Sequence, residues 1–234
     1  MAIEYRFYFQ DDEACLSYLI DPDNSKNSTT RASKPASWTE LKNCQCSNCP
    51  LSAKDHKYCP AAVDMERVIE DFSRLPAMRK VDVHVLTPER EYRKVTGIEE
   101  GLRSLMGLIM AESNCPILSK LRPMAYTHLP FTNQSEFIIR SVGTYLLRQF
   151  YHRQSRNQAD WDLKGLIALN QELRLVNQAL WQRVNNGSPG DSNLKALLSF
   201  FAMSSSVSFS LEAQLAKVRP AFLEETDLGP FEGE

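Results

Sequence analysis

Apolar and polar positions alternate at the start of the chain: Ile3, Tyr5, Phe7 and Phe9 are separated by polar or small neighbours, Asp11 and Asp12 mark a turn, and Ala14 to Ile20 returns. Period-two alternation closed by a turn predicts a β-hairpin with one buried face. The period recurs at Val81, Val83 and Val85, followed by a Thr-Pro-Glu-Arg turn and a return strand from Tyr92 to Thr96. Four antiparallel strands are therefore expected. Asp21 to Ser37 has no periodicity and is rich in Asn, Ser, Thr, Asp and Pro, which predicts an exposed loop.

Elsewhere the pattern is helical. Pro60 suits a first helical turn, and Met65, Val68, Ile69, Phe72 and Leu75 recur at helical spacing until Pro76. Thr96 and Glu99 form a capping-box pattern ahead of a stripe made by Leu102, Leu105, Met106, Ile109 and Met110, and Pro116 blocks continuation. After an irregular stretch from Pro116 to Thr132, Asn133 and Glu136 cap a helix to about Tyr151 and Asp160 opens one to about Val184. A last helix begins near Ser192, with a break expected at Ser204 to Ser206, whose hydroxyls can bond back to the main chain. The fold class is thus α+β: a small antiparallel sheet from two hairpins, a cysteine metal node and a carboxy-terminal helical bundle. The expected division is an α/β lobe over 1–116 carrying the cysteine segment 44–59, a helical region over 117–222 and a frayed acidic tail over 223–234.

Composition narrows the classes. With 234 residues, 43% of them apolar, the chain can bury a sizeable core. A formal net charge of −2 gives no global attraction to nucleic acid or anionic membrane. The first ten residues lack the basic and continuous apolar regions of a signal peptide, and no run of about 18 apolar residues occurs that would span a membrane. A cytoplasmic, reducing setting is expected, where disulfides are disfavoured.

That setting gives the cysteines their meaning. Cys44, Cys46, Cys49 and Cys59 read C-x-C-x2-C-x9-C, and Cys115 follows in its own Cys-Pro step. Thiolate suits zinc and iron–sulfur clusters, and a two-residue gap lets Cys46 and Cys49 reach one ion from one turn. Cys59 sits at an expected helix amino terminus, which lowers a thiol pKa, and Cys115 would close the set from the end of another helix. Cys44, His56 and His128 are possible substitutes, and Cys15 is expected in the core. Zinc is preferred over an iron–sulfur cluster, although Cys-Pro steps at Cys49, Cys59 and Cys115 also suit cluster ligands.

Three stretches carry a resemblance: Cys46 to Ala62 (Cys-Ser-Asn-Cys-Pro-Leu…Tyr-Cys-Pro-Ala-Ala), Gly101 to Pro116, and Pro123 to Phe131 (Pro-Met-Ala-Tyr-Thr-His-Leu-Pro-Phe). Together they resemble an uncharacterised bacterial protein family, a domain of unknown function with a C-x2-C-P-L, C-P and C-P signature. The resemblance covers most of the chain. It implies Cys46, Cys49, Cys59 and Cys115 as the paired motif cysteines, leaves Cys44 as an extra, and implies no activity.

Two further features bear on partners. Lys120, Arg122, Arg140, Arg148, Arg153 and Arg156 are interleaved with Tyr126, Phe137, Tyr145, Phe150 and Tyr151, a composition found both in nucleic-acid contacts and in amphipathic helices. Helical spacing predicts most of these aromatics on a buried side. Leu163, Asn170, Asn177 and Val184 with Leu166, Leu173 and Leu180 form a heptad, widened by Ile167, Leu169, Val176 and Trp181 toward packing within the chain. A Cys115 and His128 nucleophile pair is the one catalytic arrangement suggested, and a hydrogen-bonded, packed His128 is the preferred reading. The leading functional reading is a non-enzymatic, metal-stabilised adaptor or assembly protein that uses its helical surface for a protein partner or self-association. An iron–sulfur electron-transfer or redox-sensing protein is the first rival, and a nucleic-acid-binding regulator is the second.

Overall fold

The alternating strands do pair. The computed structural model describes residues 2–9, 14–21, 34–156, 158–187 and 190–223. Strands β1 (Ile3–Phe9), β2 (Cys15–Ile20), β3 (Lys80–Leu86) and β4 (Glu91–Gly97) form one antiparallel sheet in the order β2-β1-β3-β4. The turn expected at Asp11 and Asp12 and most of the Asp21 to Ser37 loop lie outside the described residues. Ile3, Tyr5, Phe7, Tyr18, Ile20, Val81, Val83 and Val85 are fully buried on one face. Burying each contributes about 1.5–3 kcal/mol, which fixes the register, since a slip of one residue would turn this set to solvent.

Cys15 takes the opposite face. It pairs with Tyr8 across the ladder and is exposed, which corrects the expectation of a core thiol. Strand residues alternate sides, and the buried side of β2 is set by Tyr18 and Ile20.

Two helices cover the buried face. In α1 (Pro60–Phe72), Phe72 stands edge-on to Phe7 with ring centroids 5.0 Å apart. In α2 (Ile98–Glu112), Gly101 lies so close to the sheet that a Cβ there would sit 2.7 Å from Phe7 and 2.9 Å from Val83. The start of α2 differs from the capping box expected at Thr96 and Glu99. Thr96 stays in the ladder opposite Val81, Gly97 is the cap, and the Thr96 hydroxyl donates to Glu100 at 2.5 Å. Similarly, α1 stops before Leu75, because Ser73 turns its hydroxyl back to the Glu70 carbonyl at 2.8 Å.

The last-turn carbonyls of α1 find partners far along the chain. Ser192 donates to the Phe72 carbonyl at 2.8 Å and Asn193 to the Ile69 carbonyl at 2.7 Å, and both side chains are fully buried. Helix ends leave such carbonyls unsatisfied unless something reaches them. They belong to the first turn of α6 (Asp191–Val218), whose Asp191 accepts the Ala77 amide at 3.1 Å.

Between α2 and the later helices, the stretch expected to be irregular contains a 3-10 turn at Leu118–Leu121 and a short α3 (Arg122–Tyr126). The α4 helix (Gln134–Arg156) opens on the expected capping box, with Asn133 and Glu136 exchanging bonds of 2.9 and 3.0 Å, and it extends past Tyr151. The α5 helix (Lys164–Gly187) starts later than expected. Leu163 has a left-handed φ of 61°, and Asp160 accepts from Tyr145 and from the Gly165 amide, both at 2.7 Å. In α6 the helix continues through 204–206, and its non-helical residue is Ser210 (φ −148°, ψ 33°). Fully buried Val207 lies between the two positions.

The contacts divide the chain into two units: Met1–Thr132 with Glu172–Ala202, and Asn133–Gln171 with Met203–Glu234. The first holds the sheet, α1 and α2. The second has its own core of Ile138, Leu166, Val207 and Leu211, so α4 and parts of α5 and α6 pack together there. Among the described residues no helix is long and apolar enough to cross a membrane.

Candidate functional site

The cysteine segment is held by short-range backbone bonds. A 3-10 turn at Ser37–Thr39 leads into an antiparallel bridge between Glu40 and Tyr58, in which the Leu41 amide donates to Lys57 and the Cys59 amide to Thr39, both at 2.8 Å. The chain between these two arms carries Cys44, Cys46 and Cys49. Cys46 and Cys49 share one tight turn closed by the Cys49 amide on the Cys46 carbonyl at 3.0 Å. Asn48 at its tip donates to the Glu172 carbonyl of α5 at 3.1 Å.

The other two cysteines come from helix ends, as expected. Cys59 is the residue before α1, with Pro60 at the first helical position. Cys115 follows α2, its amide held by the Ser113 hydroxyl at 3.1 Å and its carbonyl by the Ser119 amide at 2.9 Å.

Cys46, Cys49, Cys59 and Cys115 all line one pocket with free space of about 20 Å³. The remaining wall is Leu41, Leu51, Pro60, Ala61, Ile117, Val176, Leu180 and Arg183, with no Asp, Glu or His. A water-sized body needs about 10–15 Å³ of such space, so the room is that of one small occupant. Burial pushes the Cys46 thiol up to about 12, and the neighbouring thiols of Cys59, Cys49 and Cys115 add to the shift, while Arg183 opposes it. Cys59 also lies above its ordinary value through burial. This corrects the expectation that the helix terminus would lower it. The amides of Ala61 and Ala62 do pull it down, but desolvation is the larger effect. They form no geometric capping bond with the sulfur.

All six cysteines are free thiols. Among the described residues, no three His, Cys, Asp or Glu side chains are arranged as they stand to hold a metal ion.

The whole cysteine set falls inside the region matched by a known family, described as a domain of unknown function (DUF6901), over residues 3–223. The chain belongs to the DUF6901 family. The match shows the family and carries no statement about a cysteine signature. No curated protein and no solved structure matches the chain.

The possible substitute ligands of this DUF6901 chain lie elsewhere. Cys44 has a left-handed φ of 49° and accepts from Asn186 at 3.6 Å, outside the pocket wall. His56 is exposed. His128 shares a 2.6 Å hydrogen bond with buried Tyr5, which also donates to Ser104 at 3.1 Å, so its Nε2 is committed to the sheet face rather than to Cys115.

The basic and aromatic residues fall in both units. Lys120 pairs with Glu172 at 2.5 Å and Arg122 lies 3.8 Å from Glu112. Tyr126, Phe150 and Tyr151 are exposed, against the expectation that most of these aromatics are buried, whereas Phe137 and Tyr145 pack on the core of the second unit. Sequence reasoning missed Arg183. It is 2% exposed, and its guanidinium donates to the carbonyls of Trp38 at 3.0 Å, Leu41 at 3.2 Å and Glu40. The available signal was its position on α5, seven residues after Val176 and three after Leu180, in the apolar stripe where a charge is out of place.

Proposed function

We propose that Cys46, Cys49, Cys59 and Cys115 together hold one zinc ion, and that the protein is a metal-stabilised adaptor or assembly protein with no catalytic role for the metal. The observation that carries this reading is that four cysteines from three separate parts of the chain line one pocket containing no oxygen or imidazole donor. An all-thiolate donor set selects soft metals over magnesium or calcium. Room for one small body favours a single ion over a multi-atom iron–sulfur core. Four thiolates complete a tetrahedral zinc shell and leave no open position for a reactive water.

On loading, the thiols would lose their protons and turn inward, the charge of the ion offsetting the burial and the mutual repulsion that keep Cys46 protonated. The metal would join the Cys46–Cys49 turn, the start of α1 and the end of α2. A reducing cytoplasm keeps such thiols available. For the partner role, the support is an exposed strip on α4, where Leu147, Phe150 and Tyr151 face solvent beside Arg148 and Arg153.

Elemental analysis and an absorption spectrum of anaerobically purified protein test the metal. One zinc per chain in a colourless protein supports the proposal. A brown protein absorbing near about 400 nm selects the iron–sulfur reading. Protein that takes up no metal when refolded with zinc overturns both.

A further inference from the structure

Arg183 is buried, yet among the described residues no carboxylate pairs with it. Its Nη1 and Nη2 groups donate to the main-chain carbonyls of Trp38, Glu40 and Leu41, which are dipoles with no net charge. A buried charge without a counter-charge is costly, and the side chain lies in the same pocket wall as the four thiols. Zinc with four thiolates has a formal charge of −2, an anion in an otherwise apolar wall. We infer that Arg183 is the built-in counter-charge of this centre, and that metal loading locks the Trp38–Leu41 segment onto α5.

The inference rests on the four-cysteine reading and adds a partner and a linkage to it. The geometry closes a ring. Arg183 grips Trp38, Glu40 and Leu41, and this segment is bound to the arm ending in Cys59 through the Leu41 and Cys59 amides. Cys59 in turn faces the pocket that Arg183 lines. Val176 and Leu180 deliver the guanidinium from the same side of α5. Without the metal the guanidinium rests on three carbonyl dipoles, and with the thiolate complex it gains its counter-ion. Linkage makes the effect reciprocal: whatever Arg183 adds to metal affinity, the metal adds to the docking of Trp38–Leu41.

The test is zinc affinity measured by competition with a chromophoric chelator for the full chain and for R183Q and R183K. R183Q keeps donors for the carbonyls and loses the charge; it is expected to bind one zinc per chain with affinity reduced about 10- to 100-fold, the usual cost of removing an outer-shell partner. R183K keeps the charge and is expected to lose less. Hydrogen exchange on the unsubstituted protein gives a reading that does not depend on a variant folding: zinc should slow exchange of the Leu41 and Cys59 amides at least about tenfold, the reciprocal linkage at the low end of that range. Unchanged affinity in both variants overturns the inference and leaves the four-cysteine site standing, as does exchange at Leu41 and Cys59 that ignores zinc. A wild-type chain that binds no zinc overturns both.

Discussion

Replacing Cys115 with serine separates a local cysteine knot from a long-range clasp. Cys46 and Cys49 share a turn and Cys59 follows on the paired arm, whereas Cys115 arrives after α1, the β3–β4 hairpin and α2. In the proposed site, a bond through the metal between Cys59 and Cys115 would close a loop of roughly 57 residues. By the chain-entropy relation for a cross-link, a loop of that length is worth about 4 kcal/mol, taken from the unfolded chain. C115S should therefore lose about 4 kcal/mol of the stability that zinc confers, on the order of a thousandfold in the unfolding constant. Urea unfolding of zinc-loaded and chelator-treated protein, with zinc content measured on the same samples, reads this directly. In the metal-free state C115S and wild type should differ far less, since serine nearly matches cysteine in size. C44S, outside the pocket wall, is the control and should keep both zinc and zinc-dependent stability. If C115S retains a full zinc and the wild-type gain in stability, Cys115 is no ligand and the clasp is wrong.

Other predictions concern the frame that holds the site. Asn193→Ala removes the donor to the Ile69 carbonyl inside the core and should destabilise the protein by about 1–3 kcal/mol in denaturant titration, with zinc content at saturation unchanged. Gly101→Val drives a branched side chain into Phe7 and Val83; overpacking of this kind typically costs about 1–3 kcal/mol, so the melting temperature should fall, and more than in Gly101→Ala. Burial holds the Asp64 carboxyl above its ordinary range, with the Ser113 hydroxyl opposing the shift. Its protonated form is the better tolerated one in the fold, so its stabilising share is complete below the unfolded value and is lost as pH rises through the folded one. In the metal-free protein, Asp64→Asn should accordingly be more stable than wild type near neutrality and no more stable below about pH 4, as read by calorimetry.

Strands and helices with strong periodicity could be read directly from the residues. Phe7 and Val83 declare a buried face by alternation, and Met65 and Phe72 declare a helix by spacing, because packing rewards the same pattern that sequence displays. Boundaries were less legible where two local signals compete. Thr96 reads as a cap but is held in the ladder by Val81, and Asp160 reads as a cap but serves Tyr145 and Gly165 one turn early. The order of strands, with β1 beside β3, depends on long-range pairing that no local pattern encodes. For the site, spacing pointed to Cys46, Cys49 and Cys59, and helix ends pointed to Cys115, whose common pocket is a matter of tertiary placement. The sign of the Cys59 shift depended on burial, which spacing does not measure. Arg183 stood out as a charge in an apolar stripe, but its partners and those of Asn193 were illegible because each acts on carbonyls more than a hundred residues away.

A Cβ at Gly187 would sit 2.1 Å from the Trp38 Cβ, which limits how relatives of this chain can differ. Trp38 occupies the space that any side chain at position 187 would need. Every other residue type is therefore shut out there for as long as the tryptophan remains, whether or not a metal is bound. The proposed counter-charge has a different fate. In a relative that has exchanged its pocket cysteines for apolar residues, an arginine at position 183 would be a burden and should be replaced along with them, while the glycine and tryptophan persist. Substitution at the first pair follows shape, and at the second it follows charge, so drift within the family can be sorted into two independent histories.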